Sequence, residues 1–239
     1  MKRLSRYDIE CIAARVIKAY RNRPELEGQQ IRNINPEFLT TGLLGLSLEY
    51  HHLSVDDSVL GLTSYDEIGV GIFGQDDEDI FYILDGKTVL VESDLKSDIS
   101  KLGRLNFTII HEASHQILKM LFPLDYGIQQ QPHYYRATSR RQTAITDWEE
   151  WQANSLAAAI LLPPDLVLSG MKKVGLGVKL EMLNKIFRPA QYEQFCQLTE
   201  ILGVSKSALA IRMKQLGVLS RDYLHDPYAL VNIEVEDYE

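Results

Sequence analysis

Hydrophobic positions in this chain change their period several times, and the changes mark out its elements. Near the start, Ile9, Ile12, Ala13, Val16, Ile17 and Tyr20 recur at three- and four-residue intervals, which predicts an amphipathic helix. Prolines, Gly28 and polar residues over 23–36 predict a connector, followed by a short helix over 36–44. The period then shortens. Leu46, Leu48 and Tyr50 alternate with polar neighbours, and 68–73, 81–84 and 87–91 read as further strands. Asp85-Gly86 stands between the last two. That pair suits a two-residue hairpin, so a small antiparallel sheet is expected.

From about Leu102 the helical period returns, with Leu105, Ile109, Ala113 and Ile117 along one stripe, and Phe122-Pro123 ends it. A loop over 129–142, rich in Gln, His, Tyr and Arg, leads to a second helix that begins near Thr146 and stops before Pro163-Pro164. The remainder reads as helical. Within it Leu198 to Ser205, then 206–216, have the outline of helix, tight turn and helix, with Gly203 as the stop and Ser205 as the next N-cap. The fold class expected is α+β: a small antiparallel sheet packed on a helix pair, an N-terminal amphipathic helix and a helix-turn-helix-like extension. The division expected is 1–170 for the main domain and 171–239 for the helical extension with its acidic tail.

Composition narrows the functions open to such a fold. The 239 residues are 45% hydrophobic and 24% charged, as in ordinary globular proteins. No apolar run approaches the roughly 18–20 residues a bilayer demands, and the basic N-terminus is amphipathic rather than continuously apolar. No membrane association is expected, and the cytoplasm is the expected location. Cys11 and Cys196 lie in predicted helices with apolar neighbours, where packing accounts for them without a disulfide.

A net charge of -8 opposes general nucleic-acid affinity, which depends on Lys and Arg neutralising phosphates. Near the helix-turn-helix outline only Lys206, Arg212, Lys214 and Arg221 are basic, so direct DNA binding is not expected. Acids crowd instead into Asp56, Asp57, Asp66, Glu67 and 76–79. These read as solvated loops or as a surface selecting a basic partner.

The first core helix carries the candidate chemistry. His111-Glu112-Ala113-Ser114-His115 is an H-E-x-x-H segment, whose histidines at i and i+4 share one helix face about 6 Å apart. Both imidazoles can reach one ion, and Zn2+ suits them, with a third protein ligand and an open position for water. Glu112 is rotated about 100° from His111, so it is poorly placed as a ligand but well placed as general base. The second helix offers the third ligand in Glu149 or Glu150. Thr146 and Glu149 fit a capping box, which leaves Glu150 for the metal. Asn154, one turn further on, can accept a hydrogen bond from the far nitrogen of a ligating histidine. Apolar surroundings would keep the histidines neutral. A donor to the oxyanion is expected from His133, Tyr134 or Tyr135.

Asn106-Phe107-Thr108-Ile109-Ile110-His111-Glu112-Ala113-Ser114-His115, then Glu150-Trp151-Gln152-Ala153-Asn154, then Leu161-Leu162-Pro163 resemble the ImmA/IrrE family of metallopeptidases. Weaker likeness extends to the first helix, to 36–46 and to the C-terminal helices. The resemblance implies a gluzincin-like zinc endopeptidase, with His111, His115 and Glu150 as ligands and Glu112 as base. It also implies a protein substrate: a helix-turn-helix repressor of a mobile element or stress response. Ala113-Ser114, Ser155-Leu156 and Pro164 depart from the family's usual pattern without removing a ligand. Two other readings are a silent zinc-binding module that sequesters a repressor, and a DNA-binding regulator acting through the C-terminal helices.

Overall fold

The computed structural model describes residues 2–74, 78–126, 132–136 and 148–231. The class is α+β, and the chain divides into two compact units, Met1–Pro163 and Pro164–Glu239. The boundary falls between the paired prolines rather than near residue 170. Pro164 opens a new helix, a position where its missing N–H costs nothing.

In the first unit, α1 (Arg6–Arg21) buries Ile9, Ala13, Ile17 and Tyr20 along the predicted stripe. The Ser5 hydroxyl accepts from the Asp8 amide at 3.2 Å while the Asp8 carboxylate accepts from the Ser5 amide at 2.9 Å. This capping box satisfies two amides that a helix start leaves open. After the connector, α2 (Pro36–Phe38), capped by Asn35, widens into a π-helical turn over Leu39–Leu43.

Five strands follow: β1 (Ser47–His51), β2 (Val59–Thr63), β3 (Glu67–Phe73), β4 (Asp79–Asp85) and β5 (Thr88–Glu92). Then come α3 (Asp94–Ser97), α4 (Leu102–Leu121), α5 (Pro123–Tyr126), β6 (His133–Arg136) and α6 (Trp148–Leu161). The main sheet runs β1-β5-β2-β6, with β1 and β5 parallel and the other pairs antiparallel. It is therefore mixed, not antiparallel as expected, and it includes two strands, β2 and β6, that the sequence patterns did not indicate.

Asp85-Gly86 does not join a hairpin. β4 spends its ladder on β3 in a separate two-stranded antiparallel unit, and the turn hands the chain over to β5 in the main sheet. Gly86 has φ 74, and a Cβ there would stand 2.7 Å from the Tyr65 carbonyl oxygen. The glycine is required by left-handed backbone and by a close approach together.

Three layers result. Leu60, Val89 and Val91 pack with Leu105, Ile109 and Ala113 of α4, while Leu62 and Leu90 face Val70, Ile72 and Leu84 of the β3–β4 hairpin. A register shift between Val59 and Gly61 is a bulge that brings both Leu60 and Gly61 to the α4 side. α6 packs on α4 and on α1. Buried Gln152 ties α6 to its neighbours, accepting from the Leu4 amide at 2.8 Å and donating to the Tyr126 hydroxyl at 2.9 Å.

The second unit contains α7 (Pro164–Val174), β7 (Leu180–Leu183), α8 (Pro189–Leu202), α9 (Lys206–Gln215) and β8 (Leu219–Asp222). It is not wholly helical, because β7 and β8 form a parallel pair. Gly203, at φ 65, ends α8, and the Ser205 hydroxyl accepts from the Ala208 amide at 3.2 Å to cap α9. Both signals behave as the sequence implied. Of the four nearby bases, Arg212 is 3% exposed and Lys206 donates to the Tyr192 hydroxyl at 3.2 Å. Lys206, Lys214 and Arg221 stand exposed. The tail at 232–239 lies outside the described residues. Cys11 and Cys196 are free and sit in different units. Among the described residues no single helix is long and apolar enough to cross a membrane.

Gly86→Ala is expected to destabilise the protein by more than the roughly 1–2 kcal/mol of left-handed backbone alone. Gly45, at φ 67 with nothing within 4 Å of an added Cβ, isolates the backbone cost. Urea midpoints should therefore fall further for Gly86→Ala than for Gly45→Ala.

Candidate metal centre

The site forms where α4 and α6 cross beneath β2 and β6. On α4, His111, Glu112 and His115 are all 0% exposed. Their helix is fastened to the sheet by Gln116, whose amide nitrogen donates to Thr63 Oγ1 at 2.8 Å and to the Ser64 carbonyl at 2.7 Å. Ser114 donates to the Ile110 carbonyl at 2.7 Å, so its hydroxyl is spent within its own helix. Ala113 packs into the sheet-side cluster.

The three expected ligands converge. His111 Nε2 and His115 Nε2 are 3.2 Å apart, with Glu150 Oε2 3.3 Å from the first and Glu150 Oε1 3.2 Å from the second. This group can hold a metal ion.

The capping box expected of Thr146 and Glu149 falls at Thr146 outside the described residues. Glu149 itself reaches into the site, where it accepts a hydrogen bond from the Tyr65 hydroxyl. Its Oε1 also lies 3.2 Å from His133 Nε2 and 3.8 Å from His115 Nδ1. Tyr65 itself reaches within 3.4 Å of His115 Nδ1. The side of His115 facing away from Glu150 is thus held by Tyr65 and Glu149, which fixes the ring orientation. Asn154 does not fill that place, and His111 Nδ1 is buried without a hydrogen-bond partner.

Among the oxyanion candidates, strand alternation sorts the three. His133 stacks on His115 with ring centroids 4.2 Å apart, and Tyr135 lies 4.2 Å from the His111 ring. Tyr134 points to the other side and is 41% exposed.

Electrostatics separate the two histidines. Burial, partly opposed by Glu150, pushes His111 down to about 4. Burial also works against a charged His115, but Glu149 and Glu150 outweigh it and carry that imidazole up to about 10. The expectation that both rings are neutral therefore holds only for His111. Burial would raise both glutamates too, yet contacts with the histidines hold them well below the usual carboxylate range. Glu112 goes the other way. Burial drives its carboxyl well above the ordinary value, and neither of its oxygens has a hydrogen-bond partner.

Sequence reasoning missed three contributors. Tyr65 stands in a turn with no local motif, and Glu149 was absorbed by a plausible cap. Gly61 is the third: a Cβ there would lie 2.5 Å from Glu112 Oε1 and 2.7 Å from Thr108 Cγ2. Strand β2 comes this close to the Glu112 carboxylate only because a side chain is missing.

Two outcomes follow from this geometry. Because His115 holds its proton up to about 10 in the metal-free protein, a metal must expel that proton on binding. Calorimetry in buffers of differing ionisation enthalpy should find about one proton released at pH 8, with affinity rising between pH 7 and about 10; a titration without proton release would contradict it. Gly61→Ala should cost roughly 1–3 kcal/mol by overpacking, read from thermal unfolding, and should displace Glu112. No protein-family model and no curated protein sequence matches this chain.

Proposed function

We propose that this protein is a zinc-dependent endopeptidase, in which His111, His115 and Glu150 hold the ion and Glu112 is the general base. The observation that carries the reading is the triangle formed by His111, His115 and Glu150, whose ligand atoms lie close enough together to hold one ion. A tetrahedral ion with bonds of about 2.0–2.1 Å separates its ligands by about 3.3–3.4 Å, which is the geometry zinc takes with imidazole and carboxylate. The two imidazole nitrogens are 3.2 Å apart, and each has a different Glu150 oxygen beside it, Oε2 at 3.3 Å from His111 and Oε1 at 3.2 Å from His115. Three ligands leave the fourth position for solvent or substrate.

Zinc bound there would supply a Lewis acid that polarises a peptide carbonyl and acidifies water. The chain's own residues supply the rest. Glu112 takes a proton from the attacking water at a carboxylate oxygen and returns it to the leaving amine. Its two oxygens are buried and unpartnered, so both are open to that exchange, and its raised affinity for protons favours a base that must also act as an acid. His133 and Tyr135 flank the two imidazoles and are placed to donate to an oxyanion. Burial pushes the Tyr135 hydroxyl up to about 12, which keeps its proton in place for that bond. Glu149 and Tyr65 orient His115 rather than react.

The substrate class follows from the resemblance to ImmA/IrrE metallopeptidases: a helix-turn-helix repressor. The second unit then serves as scaffold or substrate dock, since two of its four candidate DNA-facing bases are buried or bonded internally.

Glu112→Gln is expected to retain zinc while cleavage of a helix-turn-helix repressor substrate drops by about 10²–10⁴-fold. Glu150→Ala should lose the metal as well, and chelation followed by zinc should abolish and restore activity in the wild type. Metal content by mass spectrometry and fragments on a gel read both. Undiminished proteolysis by Glu112→Gln would remove the base, and zinc binding with no fragments from the wild type would leave a binding module in its place.

A further inference from the structure

The hairpin formed by β3 and β4 turns one face to the core and the other outward. Val70, Ile72 and Leu84 are buried against the main sheet, whereas Phe81 is 75% and Ile83 57% exposed. Across from these, β3 presents glycines, with Gly71 opposite Phe81 and Gly69 opposite Ile83. The Phe81 ring leans over Gly69, while an added Cβ at Gly71 would meet nothing within 4 Å. The outer face is thus an apolar strip with a bare notch beside an aromatic wall.

The charges along its own segment are all negative. From Asp66 to Asp85 the sequence contains seven carboxylates and no Lys, Arg or His. Glu67 and Asp85 are exposed and directly paired across the strands at one end, and Asp79 is exposed at the other. Like charges facing each other across a ladder destabilise it, and an exposed Phe-Ile strip costs solubility. Both costs are offset by one kind of ligand: an apolar group carried between cations. The same carboxylates repel DNA, RNA and anionic lipid.

We propose that the outer face of the β3–β4 hairpin is a docking surface for a basic amphipathic segment of another protein. An apolar side chain of that segment seats over Gly71 against Phe81, and its Lys or Arg residues meet Glu67, Asp79 and Asp85. The surface lies on the side of the main sheet away from α4, so it selects a partner without touching the metal centre, and the inference does not depend on the peptidase reading.

The test uses the full chain and a labelled helical peptide with a leucine stripe flanked by lysines, beside a scrambled peptide of the same composition. Fluorescence anisotropy should show the patterned peptide binding about tenfold tighter, as a single well-seated apolar anchor provides. Phe81→Ser should erase that preference, and Ile83→Ser, which leaves the Phe81–Gly69 contact intact, should reduce it. Paired Glu67→Gln and Asp79→Asn changes should weaken both peptides and flatten the salt dependence. Equal binding of the two peptides by the wild type, or full preference retained by both serine variants with unchanged melting temperatures, would overturn the proposal.

Discussion

Two imidazoles and three carboxylates lie in a helix interface that elsewhere is apolar, and the first unit is arranged around the cost of placing them there. A buried ionisable group must be paired or must give up its charge. Glu149 and Glu150 keep theirs because His115 takes a proton between them. His111 responds by the other route and gives up its charge, and burial raises the proton affinity of Glu112. An ion at the triangle would replace the His115 proton with a larger charge at nearly the same point. Metal affinity and the stability of the metal-free interface are thus set by the same carboxylates.

The helix pair accommodates this because its two ends differ. Toward its start α6 turns Glu149 and Glu150 to the site; further along, Ala153, Leu156, Ala157 and Ile160 are fully buried. Small residues allow close approach, and close approach brings a carboxylate within about 3 Å of two side chains on another helix. Gln152 helps hold this register by bonding to both Leu4 and Tyr126. α1 is therefore more than a cover for the core: its entry strand is pinned to the helix that carries two of the site's acids.

What could be read from the sequence was whatever repeats locally. α1, α4 and the caps around Gly203 and Ser205 depend on spacings of three to five residues, and each is where the sequence pattern puts it. H-E-x-x-H and Glu150 belong to the same class, since a helix converts spacing directly into geometry. The strands of the main sheet were harder. β2 is buried at all five positions, so it lacks the alternation that marks a half-buried strand. β6 is four residues long and has no pattern to detect. Asp85-Gly86 is a genuine turn whose sequence does not say which strands it joins, because pairing is decided by distant partners. Tyr65 and Glu149 escaped for a similar reason: their roles exist only after β2 has been laid against α4.

Gly61 shows how closely fold and chemistry are joined here. A bulge, a missing side chain and a tight helix-to-strand contact coincide at the one position that faces the Glu112 carboxylate. A regular strand with a larger residue would keep the hydrophobic layers and push the carboxylate away. A bulge with any side chain would do the same. The backbone of β2 thus forms a wall of the site, and burial against that wall raises the proton affinity of Glu112. The same sheet supports the acidic hairpin on its opposite face. One mixed sheet therefore divides the first unit into a layer where carboxylates are buried and tuned by their neighbours and a layer where they are exposed and act as bulk charge.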